Sequence, residues 1–523
     1  MNKITNKKKI KTHTILIKKI RVAFNKKISF PTAHSILLII AGLVAILTWL
    51  IPAGQYDRLS YNKETNSFHC NHLGNDKMLV ANQNTLDSLN IQIPIEKFTN
   101  GDIWKPISIP GTYHKLDPSP QGIIAFIKSP LKGIMGVSDI ILLVLIIGGL
   151  IGIVNATGAF EAGISWLAAV LKGKEYVLII LVTTLIAIGG TTFGLAEETI
   201  AFYPILIPVF LAAKYDAIVP LASIYVGSAM GTMASTVNPF STIIASDAAG
   251  INWTAGINGR FVMLALGLLI CISYIIWYAQ KVKKEPTKSI IFDQKEEIEK
   301  LFGNMITSNN ISKLNLRLRL ILLVFVLCFI IMIYGVSKLD WWFLEMTSVF
   351  FIGAIVIGFI ARIKERIFVD TFVKGATELL GVAFIIGIAR GITILMEDGL
   401  ISDTILYYSS NLTHGMNKGF FINTMLYTYG GLSFFIPSSS GMAVLTMPIM
   451  SPLGDGLGVA REYIVNAYQY GMGLFAFINP TGLILASLAI VKVGYDKWLR
   501  FISPLVLMLL FLTMVLLTIS VYL

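Results

Sequence analysis

GGTTFGLAEETIAFYPILIP, residues 189–208, sets two adjacent carboxylates, Glu197 and Glu198, just past a glycine pair and between two apolar runs. Tyr176–Ile188 leads into the stretch and Ile200–Ala213 leads out. The first basic residues reached in either direction are Lys174 and Lys214. Lysine marks the cytoplasmic side of a membrane span, so both ends of the segment belong on one face. The residues therefore predict a re-entrant hairpin over 176–213 that enters from the cytoplasm and turns within the bilayer. An ionised acid at that depth costs at least about 2.5 kcal/mol unless it is paired or hydrated, which marks the glutamates as functional.

The rest of the chain supports a membrane setting. Hydrophobic residues make up 55% of it and charged residues 14%, and apolar runs recur from Ser35 to the C-terminus. About twenty apolar residues cross the hydrocarbon layer, so the chain reads as an all-α polytopic membrane protein. A net charge of +12 would point a soluble protein toward nucleic acid. Here the basic residues lie between the spans, where they set topology, and no nucleic-acid partner is expected. Residues 1–33 read as a cytoplasmic basic tail lying against anionic lipid. Its apolar residues are scattered and no cleavage site follows, so it is no signal peptide.

Scaffold helices of a first half are expected over 34–174, interrupted by an extracytoplasmic loop, 53–121. Residues 175–280 hold the hairpin, a broken helix and a span; Lys172 and Lys174 mark the cytoplasmic side before it. A cytoplasmic linker, 281–319, leads to second-half scaffold helices (320–417) and a second transport part (418–523). The break in the first broken helix, 216–248, falls at ASTVNPFST, because proline lacks a donor and disturbs the turn before it. Spans are expected at 139–157, 320–335 and 343–360.

Sliding the chain by 241 residues, Gly189 onto Gly430, lays GGTTFGLAEETIAFYP on GGLSFFIPSSSGMAVL and STVNPFSTIIAS on AFINPTGLILAS. Gly190, Phe193, Asn238, Pro239, Ile243, Ala245 and Ser246 then also meet identical residues, and Gly158 meets Gly399. A glycine-rich turn and an Asn-Pro break falling on one ungapped offset indicate duplication. The intervening odd number of crossings inverts the second copy, with its hairpin near 420–453 and its broken helix near 459–493. Inverted repeats with discontinuous helices build secondary transporters whose site lies at the midplane, and this architecture also places the C-terminus outside.

The candidate site follows from the interruptions. Freed backbone groups in a bilayer survive only inside protein or beside water. Helix N-termini there favour a carboxylate. Thr199, Ser438, Ser439 and Ser440 supply hydroxyls, and Asn238 and Asn479 supply amides that donate and accept. Pro239 and Pro480 make the breaks, flanked by Ser235, Thr236 and Thr481. Glu197 and Glu198 could meet a coupling cation (Na+ near Glu197, Asn238, Ser439 and Asn479), a transferable proton, or the cationic end of a basic amino acid. One of them could instead cap the second hairpin helix. Arg390, well inside a span, could neutralise a glutamate or hold a substrate carboxylate. No further cofactor is expected.

Other function classes find little support. The six histidines, at 13, 34, 69, 72, 114 and 414, fall in the tail, in loops or at a span edge, which argues against an intramembrane enzyme. The three cysteines show neither a disulfide framework nor zinc spacing. A channel leaves the duplicated interruptions unexplained.

LTWLIPAGQYDR, GLAEETIAFYPILIPV, STVNPF, GIARGI, FIPSSSGMAVLTMPIM and INPTG together resemble the C4-dicarboxylate anaerobic carrier (DcuC-type) family, in its YfcC-like branch. More remotely the chain is similar to the ion-transporter superfamily. That resemblance implies a homodimer with a fixed scaffold and an elevator-like transport domain in a bacterial cytoplasmic (inner) membrane. Its sodium–dicarboxylate members carry Ser-Asn-Thr at the hairpin tips, where this chain has Glu-Glu-Thr and Ser-Ser-Ser. The family name implies a C4-dicarboxylate; relatives in the branch are called basic amino acid, or arginine–ornithine, exchangers.

Overall fold

A computed structural model describes residues 31–72, 74–170, 174–303, 315–339, 341–412 and 415–523. The basic tail up to residue 30 (with His13), Lys172, His414 and residues 304–314 of the linker lie outside them. Among the described residues, eight helices are long and apolar enough to cross a membrane.

Helix α1 (Ala33–Leu50) opens with Thr32 accepting the Ser35 N–H and closes before Pro52. Residues 53–121 then depart from the all-α expectation. Strands β1 (Gly54–Gln55), β2 (Arg58–Asn62), β3 (Ser67–His72), β4 (Asn75–Val80), β5 (Ile107–Ser108) and β6 (His114–Lys115) form two sheets, in the orders β1-β6 and β4-β3-β2-β5. Short helices α2 (Gln83–Ser88) and α3 (Glu96–Thr99) lie between β4 and β5. Leu59, Phe68, Leu86, Ile91, Phe98 and Ile107 are its buried core, with Phe68 and Phe98 edge-on at 5.2 Å. This domain is inserted between helices.

The first half continues with α4 (Ile123–Gly136), α5 (Ser138–Ala156), α6 (Ala159–Val170) and α7 (Tyr176–Phe193). A 3₁₀ turn, Glu197–Phe202, leads into α8 (Tyr203–Ala212). Helix α9 (Ile218–Met233) breaks, and a π turn, Pro239–Ile243, precedes α10 (Ile244–Ala248). Then come α11 (Ile257–Lys284) and α12 (Lys295–Gly303). The second half holds α13 (Leu316–Lys338), α14 (Phe343–Ile360), α15 (Glu365–Glu378), α16 (Leu380–Asp398) and α17 (Ser402–Asn411). It ends with α18 (Lys418–Ser433), α19 (Ser439–Asp455), α20 (Arg461–Ala476), α21 (Ile484–Val491) and α22 (Tyr495–Ser520).

The duplication reaches well beyond the segments that reveal it in sequence. Helix α4 packs along α16 while α15 packs along α5, and α1 on α16 mirrors α14 on α5. Helix α7 lies on α9 as α18 lies on α20. Across α5 and α16 the register is 242 residues rather than 241, Ser138–Ala156 against Leu380–Asp398. Accordingly the left-handed residue after α5, Gly158 (φ 74°), corresponds to Leu400 (φ 54°), and the Gly158–Gly399 match is one residue out.

Small residues let these backbones meet, as packing without a hydrophobic drive requires. A Cβ on Gly375 would lie 2.4 Å from the Gly148 carbonyl oxygen, and one on Gly133 would lie 2.1 Å from that of Gly387. One on Gly231 would sit 2.3 Å from the Ala187 carbonyl oxygen. Gly381, in the same helix as Gly387, faces open space. We expect Gly375→Leu to lower the unfolding midpoint or prevent accumulation of the protein, with overpacking costing about 1–3 kcal/mol or more. Gly381→Leu should leave the midpoint within error, as thermal unfolding in detergent would report.

Candidate substrate site at two helix interruptions

The turn after α7 and the turn after α18, the two tips, are each stapled to the broken helix that follows, by the same device. At the first tip, α7 ends at Gly194, whose φ of 79° suits glycine and whose N–H reaches the Gly189 carbonyl. Asn238 packs over that glycine; a Cβ at residue 194 would lie 2.8 Å from its Nδ2. Its Nδ2 donates to the Gly190 carbonyl (3.3 Å) and its Oδ1 accepts from the Phe240 N–H (2.8 Å). At the second tip, Asn479 Nδ2 donates to the Ser433 carbonyl (2.9 Å) and its Oδ1 accepts from the Thr481 N–H (2.9 Å). Both asparagines are buried. One amide thus meets a carbonyl freed at a helix end and a donor freed by the adjacent proline. Pro239 and Pro480, each half-buried, set the two breaks.

Hydroxyls complete the staples. Thr236 N–H reaches Thr191 Oγ1 (3.0 Å), and Thr191 Oγ1 donates to the Ala234 carbonyl (2.7 Å). Thr242 Oγ1 lies 2.7 Å from Ser235 Oγ and accepts from Gln469 Nε2. Thr481 Oγ1 lies 3.1 Å from the Phe434 carbonyl. Gln469 and its neighbour Tyr468 connect the two copies. Gln469 touches the first break through Thr242, and Tyr468 donates from its hydroxyl to the Ser439 carbonyl at the second tip (2.7 Å). Gln469 Oε1 and Ser246 Oγ are buried with no hydrogen-bond partner among the described residues.

The carboxylates divide. Glu198 is buried and its Oε2 accepts from the Ala196 N–H (3.1 Å), a local cap on the 3₁₀ turn. Thr199 donates to the Ala196 carbonyl beside it (2.5 Å). Glu197 is half-buried, and among the described residues no cation or side chain bonds its carboxylate. Arg390 neutralises neither glutamate. It pairs with Glu397, two turns along its own helix, at 3.4 Å. Among the described residues no hydrogen bond joins Glu197, Asn238, Ser439 and Asn479 to one another, and the two asparagines serve different helix ends.

The second tip has a different character. Ser438 caps α19, accepting the Gly441 N–H (3.2 Å), and Ser440 is buried. Lys105, from the inserted domain, donates to Ser440 Oγ at 2.7 Å. No carboxylate lies within ion-pair distance of Lys105 among the described residues. Burial, and after it the charge of Arg390, hold its ammonium below the usual lysine range. The first tip therefore ends in acids; the second gathers serines, a lysine and a helix N-terminus. Lys105 and Gln469 are absent from the sequence reading. Gln469 carried a signal, one of two amides, with Asn466, in the otherwise apolar run YIVNAYQYGMGLFA. Lys105 carried none, sitting 335 residues from its partner.

The staples predict stability effects. Asn238→Leu and Asn479→Leu each leave a buried carbonyl and N–H unpaired, which we expect to cost about 1–3 kcal/mol in unfolding of the purified protein. Gly194→Val should cost at least as much, through strain at positive φ and collision with Asn238. Gly431→Ala, which meets nothing within 4 Å, should be silent in the same measurement.

Comparison with known proteins places the chain. It is 43% identical over 497 residues to an uncharacterized protein of Haemophilus influenzae (95% of this chain, 98% of the relative). It is 28% identical over 494 residues to the "Putative basic amino acid antiporter YfcC" of Escherichia coli (90% and 92%). Two solved structures align over most of the chain: the YdaH transporter of Alcanivorax borkumensis (13% identity, 94% of this chain and 98% of that one, TM-score 0.37) and MtrF of Neisseria gonorrhoeae (15%, 95% and 96%, 0.39). Both likenesses are too loose to carry a structural argument. Residues 30–522 match the pattern of the C4-dicarboxylate anaerobic carriers, DcuC, and the chain belongs to that family of membrane transporters, which are not enzymes.

Proposed function

We propose that the protein is a secondary active transporter that exchanges a small amino acid, best a basic one of the arginine or ornithine type, across the bacterial inner membrane. The observation that carries this reading is the opposed chemistry of the two tips. Glu197 offers an unpaired carboxylate to a cationic side chain, and Ser440 with Lys105 and Arg390 offers donors and positive charge to a carboxylate. A basic amino acid carries both charges. The name of the Escherichia coli relative agrees with it.

In this reading the stapled segments 176–213 and 420–453 are re-entrant hairpins in inverted halves. The inserted domain lies outside, with the N-terminus inside and the C-terminus outside. The transport parts move as an elevator against the scaffold in a homodimer, as the superfamily resemblance implies. Glu197 is also where a coupling Na+ or H+ would act if transport is symport. The second reading, a C4-dicarboxylate, rests on the two cations near Ser440, which would suit two carboxylates.

Purified protein in liposomes preloaded with unlabelled arginine tests the reading. Labelled arginine should enter by counterflow, with no response to fumarate; the reverse outcome favours the dicarboxylate. Glu197→Gln should cut arginine exchange at least tenfold, about 1.4 kcal/mol, while Glu198→Gln acts mainly on stability. Normal exchange by Glu197→Gln would sink the assignment of that acid. Because Lys105 gives up its proton at lower pH than an ordinary lysine, KM for external substrate should rise on the alkaline side. Lys105→Arg should move that rise to higher pH.

A further inference from the structure

Two histidines of the inserted domain have no part in the site above. His72 ends β3 and His114 opens β6, so they belong to different sheets. Between them stands Asp57, just before β2, its side chain only 11% exposed. Its backbone is fixed at both ends: the N–H donates to Thr112 Oγ1 (3.0 Å) and the carbonyl accepts from Ile109 (2.9 Å). The carboxylate is therefore held in place before any partner is considered.

Both imidazoles turn toward it. His72 Nδ1 lies 2.9 and 3.0 Å from the two carboxylate oxygens. His114 Nε2 lies 3.7 Å from Oδ1, too far for a hydrogen bond. The rings stand edge-to-face with centroids 5.0 Å apart, and one ligand atom from each residue falls within 4.8 Å of the others. A tetrahedral ion bound at about 2.0–2.1 Å keeps its ligand atoms roughly 3.3–3.5 Å apart, which lies inside the observed spread. The adjacent Arg58 is engaged elsewhere: one guanidinium nitrogen donates to both oxygens of Asp403, at 2.7 and 2.8 Å. Two imidazoles and one carboxylate suit a borderline divalent ion; Ca2+ and Mg2+ want more oxygens. His72 is half exposed, which gives an ion an entry path.

We propose that Asp57, His72 and His114 bind a divalent ion of the Zn2+ class, with three protein ligands and a fourth position open to water. The ion joins the two-stranded sheet to the four-stranded one beside the Arg58–Asp403 clamp, and so stiffens the domain that carries Lys105.

Untagged full-length protein in detergent, stripped with a chelator, tests this by calorimetric titration. One Zn2+ per chain is expected, with Mg2+ and Ca2+ silent and the unfolding midpoint raised by Zn2+. His72→Ala and His114→Ala should each weaken Zn2+ binding by at least about 100-fold, since losing even an outer-shell partner costs up to that much. In chelator the midpoint of His114→Ala, which removes no hydrogen bond to Asp57, should match the parent. The absorption bands of tetrahedral Co2+ in the unaltered chain give a readout that needs no variant. Absence of Zn2+ uptake, or uptake undiminished with both histidines replaced, overturns the proposal and leaves Asp57 and His72 as an ion pair.

Discussion

Backbone amides and carbonyls released by a helix break must find partners, and in an apolar chain water is scarce. This constraint organises the protein. Each copy breaks one helix and sharply turns a neighbouring pair, freeing polar groups at two places side by side. A single asparagine before a proline satisfies both, donating to the turn and accepting from the break. The flanking threonines and serines extend the same repair. Gln469 Oε1 and Ser246 Oγ are two of the buried polar atoms that find no hydrogen-bond partner among the described residues.

Around these breaks the halves interlock. Helices of one half pack on helices of the other through glycine contacts that admit no Cβ, so the α4–α16 and α5–α15 pairs form one block. The parts bearing the tips pack among themselves, α7 on α9 and α18 on α20, and meet through α9 against α20. Tyr225 of α9 donates to the Ala476 carbonyl at the end of α20, while Tyr468 of α20 donates to Ser439. Each tyrosine reaches from its own helix to an interruption, which couples the breaks mechanically.

Much of this was legible in the residues. Glycine pairs and Asn-Pro breaks are local signals, and their shared offset exposed the duplication. Helix α14 falls on its expected limits, 343–360, because its apolar run ends in charge. The inserted domain was missed because its strands are short and its composition polar, so alternation in RLSYN and SFHCNH is drowned. The Arg390–Glu397 pair lies at two-turn spacing, a signal no stronger in the sequence than the bare charges of Glu197 and Glu198. The roles of Asn238 and Asn479 as staples needed geometry, since an amide on a break could equally face a ligand. Lys105 was beyond reach for a plain reason: a contact between an inserted loop domain and a helix 335 residues away leaves no periodic trace, and the meeting of Asp57 with His72 and His114 needed the pairing of the short strands.

The inserted domain grips two rims at once. On one it holds α17 through Arg58–Asp403 and stacks Tyr113 on Tyr407 at 4.2 Å. On the other it holds α10 through Lys97–Asp247 at 2.9 Å and α19 through Lys105–Ser440. Asp247 is wholly enclosed, so removing Lys97 would leave a buried carboxylate without its cation, at a cost of about 3–5 kcal/mol. The domain therefore acts as a clasp that fastens the two rims to each other.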